Sequence, residues 1–103
     1  MPIKQTFIEH FPPGTEPIYF GEWLDKQPAS EQSRYYQSRA RMDEYREEAI
    51  ADGRMIIDND GSYIWRDEQA KQQGKHQDNE CLEFYNRYNA EVGLTVTSVW
   101  TEI

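Results

Sequence analysis

The sequence predicts an α+β domain in which two helices pack on one face of a small, mainly antiparallel sheet. Three observations lead there. Helical periodicity over about 31–52 and again from near Asp78 to Val92 is closed each time by a glycine, Gly53 and Gly93. Asp58-Asn59-Asp60-Gly61 sits between two short apolar runs, and these residue types tolerate the positive φ that a tight hairpin turn demands. Leu94 to Ile103 alternates along its length, with Leu94, Val96 and Trp100 on one face and Thr95, Thr97, Val99 and Thr101 on the other, as a strand does. Strands and helices do not alternate in the βαβ manner, so helices should gather on one side of the sheet. A chain of 103 residues is expected to form one domain.

Taken in order, residues 2–11 place Ile3, Phe7 and Phe11 on one face and predict a first strand, although Gln5 and Glu9 interrupt the pattern. Pro12, Pro13, Gly14 and Pro17 then force an extended connection. Ile18 to Leu24 reads as a short strand or one helical turn, and Tyr19, Phe20 and Trp23 give it the composition of a buried or docking segment. The first long helix is expected from Glu31 to Asp52, with Ser30 as N-cap and with Tyr35, Met42, Tyr45, Ala49 and Ile50 as its buried stripe. Arg-Met-Ile-Ile and Ser-Tyr-Ile-Trp-Arg flank the turn as two short strands. Residues 67–77 hold nothing larger than Ala70 to bury, so they predict a solvated loop or an exposed helical turn ended by Gly74. The second long helix carries Cys81, Tyr85, Tyr88 and Val92 on its inner face.

Leu, Ile, Val and Phe together number only 18, a share that with a net charge of −8 lies near the boundary of disorder. Seven Tyr, three Trp and four Phe offset this, because each brings a large apolar area. A folded domain with a thin, aromatic core is therefore expected. The same residue types dominate binding hot spots, so some of them are candidates for partner contact.

Composition also excludes function classes. The basic residues from Arg34 to Arg46 are interleaved with carboxylates, which leaves no stripe for tracking phosphates and argues against direct nucleic-acid binding. No run approaches the length of a membrane span, and Met1 to Phe11 lacks the pattern of a secretory signal. One cysteine cannot form an intramolecular disulfide and fits a reducing compartment, so a cytoplasmic location is expected.

Few residues form a constellation suited to catalysis. Cys81 lies in the first turn of the second long helix with His76 upstream, the placement of an activated thiolate. It also opens that helix's buried stripe, which is where free cysteines usually reside. Cys81, His76 and His10 with a carboxylate could hold zinc, but the repeated Cys-x-x-Cys spacing is missing. Aligning Gly61 with the sixth position of a calcium loop puts Ile56 first and Asp67 last, so the first ligand is absent. A hairpin turn accounts for the same residues. No phosphate-cradling glycine loop or serine elbow is present. The chain is expected to be non-enzymatic, without metal or cofactor.

Charge order on the first long helix breaks a local rule. Arg34, Arg39 and Arg41 precede Asp43, Glu44, Glu47, Glu48 and Asp52, the reverse of what the helix macrodipole favours by roughly 0.3–1 kcal/mol per well-placed charge. Asp43/Glu47, Glu44/Glu48 and Glu48/Asp52 add like-charge repulsion. Glu44, Glu48 and Asp52 form a ridge with about 6 Å between successive carboxylates, near the phosphate spacing of a nucleic-acid strand. Such a ridge can dock on a basic surface. It can equally be a solvated face balanced by pairs such as Arg39/Asp43 and Arg41/Glu44, the commoner fate of charge runs. Over residues 1–33, 34–54 and 55–103 the net charge is −3, 0 and −5, so excess acid gathers in the C-terminal half.

These features predict a small acidic interaction protein that binds a basic protein surface, such as the phosphate site of a nucleic-acid-binding complex, and inhibits it. Glu44, Glu47, Glu48 and Asp52 are the candidate contact residues, with Asp67, Glu68, Glu80 and Glu83 as a second group. Small mobile-element inhibitors of host defence, including inhibitors of CRISPR effectors, have this size and charge, an analogy of class alone. The alternative is a structural subunit of a virion or scaffold, possible also as a homo-oligomer, in which Ile18 to Leu24 packs on neighbours and Trp23 is exposed. An enzyme centred on Cys81 and His76 is the third reading.

Overall fold

The computed structural model describes residues 1–73 and 78–103. Its elements run β1 (Ile3–His10), α1 (Phe20–Asp25), α2 (Ala29–Ala51), β2 (Met55–Ile57), β3 (Tyr63–Trp65), α3 (Glu68–Gln73), α4 (Asn79–Val92) and β4 (Thr95–Glu102). The α+β class holds, with every strand pair antiparallel and the sheet ordered β2-β3-β1-β4. Two short helices, α1 and α3, join the two long ones. The proposed end of α3 at Gly74 lies outside the described residues.

α2 starts two residues earlier than the sequence pattern suggests. Pro28, at φ −57°, is the N-cap, and its carbonyl accepts from the Glu31 and Gln32 amides at 2.9 and 3.1 Å. Proline suits this place because its φ is preset and it has no amide hydrogen to leave unpaired. Ser30 therefore lies inside the first turn and caps nothing. At the other end Gly53 takes φ +72°, as expected. The buried line of α2 is Tyr35, Ser38 and Ala49, with Met42 partly covered. Tyr45 and Ile50, assigned to that line from the sequence, are 45% and 42% exposed. Ile50 is next to Ala49 and so points about a quarter-turn away. Ser38 is tolerated in the interior because its hydroxyl donates to the Tyr35 carbonyl at 2.7 Å.

The interior is in two parts. Trp23, Leu24, Tyr35, Cys81, Phe84, Tyr88 and Leu94 form one cluster among α1, α2 and α4, and Phe20 stacks within it, 4.5 Å from the Tyr85 ring centroid. Ala49, Met55, Trp65 and Ala70 form the second, where the C-terminal half of α2 and α3 cover β2 and β3. Thus α4 packs chiefly on α2 and α1, while the sheet is covered by α2 and α3. The radius of gyration of 15.2 Å exceeds the ~13 Å expected of a compact chain this long, as two side-by-side cores require.

β4 is where the alternation misleads. Leu94 joins the helical cluster, but every residue of β4 is exposed, including Val96 and Trp100 at 41% and 42%. β4 is an edge strand, beyond the β2–β3 region that α2 and α3 cover, and α3 reaches it through Lys71, whose Nζ lies 4.1 Å from the Trp100 ring centroid. β1 and β4 pair over eight residues, whereas β3 covers only Ile3 to Gln5 of β1, so the far half of β1–β4 projects as a two-stranded ribbon.

Two glycines with the same backbone separate two costs. Gly53 and Gly93 both have φ +72°, but a Cβ on Gly93 would sit 2.9 Å from Pro12 Cγ, while one on Gly53 meets nothing within 4 Å. Gly53→Ala should cost about 1 kcal/mol for the left-handed backbone. Gly93→Ala should cost about 2–3 kcal/mol, because Pro12 must also move. Denaturant midpoints of the two variants measure the difference.

Candidate functional site

The carboxylates of α2 are best understood from what the cations do. Lys4, Arg34, Arg39, Arg41, Arg46, Arg54, Arg66, Lys71 and Arg87 each have a carboxylate at ion-pair distance, and Lys26 is the exception among the described lysines and arginines. Several of these ties join distant elements. Arg41 reaches from α2 to Asp78 and Glu80 at the start of α4, with Nε 2.6 Å from Asp78 Oδ2. Asp78 in turn caps α4 by accepting from the Cys81 amide at 3.1 Å. Glu31 holds both Arg34 and Arg87, and Arg87 lies over the Phe84 ring. Arg39 pairs with Asp43 as the sequence suggests, and Arg46 also bonds that carboxylate. Arg41, expected beside Glu44, is drawn away to α4.

Glu44, Glu47 and Glu48 consequently have no ion pair among the described residues. All three are exposed; Glu44 and Glu47 lie opposite Tyr35, Ser38 and Ala49, while Glu48 lies on the flank of α2 that borders the cavity beside the β2–β3 hairpin. No basic residue occupies the last helical turn to offset them. Asp52 is different: it is the C-cap residue and pairs with Arg54 at 3.2 Å. The free acidic surface on α2 is therefore Glu44, Glu47 and Glu48.

The second acidic group is mostly engaged. Asp67 accepts from the Ala70 amide at 2.8 Å and so starts α3, and it also pairs with Arg66. Its carboxyl is held below the usual range chiefly by that backbone bond. Glu68 pairs with Lys71 and Glu80 with Arg41, while Glu83 is exposed without an ion pair among the described residues. Arg41 thus holds Glu80 at the α2–α4 seam, where the carboxylate is compensated.

The alternative chemistries find little support in the geometry. Cys81 is fully buried, and burial pushes its thiol up, away from a thiolate. His76, its proposed base and zinc ligand, lies outside the described residues. His10 is exposed at the tip of the β1–β4 ribbon. Among the described residues no group of three or more His, Cys, Asp or Glu is arranged to hold a metal. At the calcium-like turn, Lys4 Nζ bridges Asp58 and Asp60 at 3.1 and 3.3 Å, so a protein cation sits between the carboxylates. The turn is further closed by Asp58 and Ser62 across its neck and by Gly61 at φ +84°.

Two features escaped the sequence pattern. One is a cavity of about 230 Å³ between α2 and the β2–β3 hairpin, lined among the described residues by Met42, Tyr45, Arg46, Glu48, Trp65 and others. The other is a polar relay inside the helical cluster: Arg39 donates to the Tyr85 hydroxyl at 2.8 Å, which lies 2.9 Å from that of Tyr35. Burial and this contact raise the Tyr35 phenol above its ordinary range, so it stays protonated. Trp23 is only 5% exposed and donates to Glu91. The expected exposed Trp23 of a packing subunit is thus overturned, although Tyr19 beside it is 59% exposed.

Comparison of the chain with known protein families, with curated proteins and with solved structures finds no match. Among the described residues no helix is long and apolar enough to cross a membrane. The class defined by fold and surface is a small α+β protein with an uncompensated acidic helix face.

Two measurements check this description. The Asp78 carboxyl is depressed, first by its hydrogen bond to Arg41, so its stabilisation is complete above the ordinary Asp range and is lost as pH falls below it. Asp78→Asn keeps a capping oxygen but not the charge. It should lower Tm at pH 7, and the gap to wild type should close between about pH 5 and pH 2. Cys81 should not react with a thiol reagent in the native protein and should react fully in denaturant; fast native labelling would contradict its burial.

Proposed function

We propose that this chain is a non-enzymatic interaction protein that docks the acidic face of α2 on a basic protein surface, with a phosphate-binding surface of a nucleic-acid-binding complex as the target and inhibition as the result. The observation that supports it is the isolation of Glu44, Glu47 and Glu48. The internal ties engage nearly every described cation, yet these three carboxylates stay exposed near a helix C-terminus that disfavours them. Residues that work against local stability tend to be retained for function. Successive turns separate Glu44 and Glu48 by about 6 Å, a spacing that matches a strand of phosphates.

Binding of this kind is driven by complementary fields, so it should be rapid and strongly salt-dependent. An affinity pull-down at low and high salt would compare wild type with Glu44→Gln/Glu47→Gln/Glu48→Gln. The expected result is retention of a nucleic-acid-binding protein by wild type at low salt, with loss at high salt or in the variant. The substitutions lie on an exposed face and relieve repulsion, so the variant should be at least as stable as wild type. Equal retention by both would remove α2 as the docking surface.

A further inference from the structure

The other unusual surface is the free edge of β4. Its backbone pattern follows from one bond: the Ile103 amide donates to the Pro2 carbonyl, in register with the β1–β4 ladder. Backbone groups alternate in direction along an antiparallel strand. Odd-numbered residues of β4 therefore face β1, and Val96, Ser98, Trp100 and Glu102 direct their N–H and C=O groups outward. Among the described residues no strand pairs with that side.

Natural sheets protect long edges with lysine, proline or bulges. β4 has none of these. From Thr95 to Thr101 it carries no charge and no proline, its register with β1 is unbroken, and all of it is exposed. The opposite edge, β2, is only three residues long.

We infer that β4 pairs with β4 of a second copy of this chain, antiparallel and with Val99 on the two-fold axis. Charge favours this occupant. The chain carries −8, and this edge is a place where two copies can meet without opposing carboxylates; a basic partner finds no anion along Thr95 to Thr101 to recognise. Register selects the axis. With Val99 opposite Val99, Ser98 faces Trp100 and Val96 faces Glu102, so every outward backbone group of β4 finds a partner. Centring on Ser98 would set Glu102 opposite Leu94, whose amide is already donated to Asn89. In the Val99 register Thr97 also meets Thr101, and no like charges face each other. An isologous pair of this type closes as a dimer and does not propagate.

This interface is independent of the α2 docking proposal and responds to salt in the opposite direction. Screening weakens repulsion between two anionic copies, so the dimer should tighten as salt rises, whereas docking on a basic partner should weaken. Light scattering over a concentration series at low and high salt should show the mass move from 12.3 kDa toward about twice that value. Val99→Lys, at an exposed site, should hold the chain at monomer mass with an unchanged circular dichroism spectrum. Ser98→Pro, which removes one outward N–H and no bond to β1, should do the same. Val99→Cys should form a disulfide-linked dimer under oxidation, since a non-hydrogen-bonded antiparallel pair brings Cα atoms to about 4.5 Å. Ser98→Cys should crosslink only when mixed with Trp100→Cys. A wild-type chain that stays monomeric at millimolar concentration and high salt overturns the inference. So does a dimer that survives Val99→Lys, or self-crosslinking of Ser98→Cys matching that of Val99→Cys.

Discussion

The fold depends on α2 being held at both ends. Among the described residues it is the one element that contributes to both cores, with Tyr35 in the helical cluster and Ala49 in the cluster over the sheet. At 23 residues it spans about 35 Å, which sets the separation between the cores and the elongated shape. Neither core is large. A chain with so few aliphatic residues cannot close one wide interior, so it builds two narrow ones around aromatic rings and joins them with a rigid rod. Contacts that fix the direction of α2, such as Arg41 to Asp78 and Glu31 to Arg87, therefore orient the two halves as well as joining side chains.

This arrangement explains the surface charge. Long side chains of arginine are suited to bridging thin layers, because the stem covers apolar surface while the planar head finds a carboxylate. Arg87 illustrates this, lying over Trp23 and Phe84 while it bonds Glu31. With arginine so committed, excess acid is left where no bridge is needed. On α2 that place is the outer face at Glu44 and Glu47 and the flank at Glu48. The acidic ridge is thus a residue of how the interior is tied, which makes its isolation a property of the fold and not of one side chain's rotamer.

Much of this was legible in the sequence, and the failures share a cause. The glycine stops, the Asp58 to Gly61 hairpin, the Asp78 helix start and the last strand all depend on neighbours within a few residues, and they appear where the pattern puts them. The errors concern what lies across space. Tyr45 and Ile50 have the periodicity of a buried stripe, but they flank a narrow covered line that keeps one spacing through Tyr35, Ser38, Met42 and Ala49, and Tyr45 borders the cavity beside the β2–β3 hairpin. Phe84 fits the α4 stripe one turn beyond Cys81, a position that the more regular spacing of Tyr85 and Tyr88 obscures in the sequence. Val96 and Trp100 alternate as core residues do, but they stay 41% and 42% exposed, and Trp100 meets the Lys71 ammonium of α3 in place of an apolar layer. Arg41 could be paired from sequence only with Glu44, because its real partner is 37 residues away. Of the candidate site, the gathering of Glu44, Glu47 and Glu48 in the second half of one helix was legible, but whether they face solvent or an internal arginine cluster was not. Their lack of ion pairs was not legible either, because it depends on where every arginine goes.

The two surfaces proposed for binding follow from the same division of the chain. Where the interior is tied by arginines, carboxylates accumulate outside and a charged partner is favoured. Where the chain leaves the cores, in the β1–β4 ribbon, the two strands are held together chiefly by their backbone ladder, and from Thr95 to Val99 the side chains of β4 are threonine, valine and serine. Backbone pairing has no charge requirement and needs only a second extended strand. A negatively charged chain can therefore associate with itself through the one and with a basic partner through the other. Because α2 covers β2 and β3 while β4 lies at the far edge, neither contact requires the other to be released. A dimer formed through β4 would carry two copies of the α2 ridge on one continuous sheet, with both helical layers on the same side, since residues opposite each other across Val99 share a face. Avidity for an extended basic surface would then arise from the edge strand without any new acidic residue.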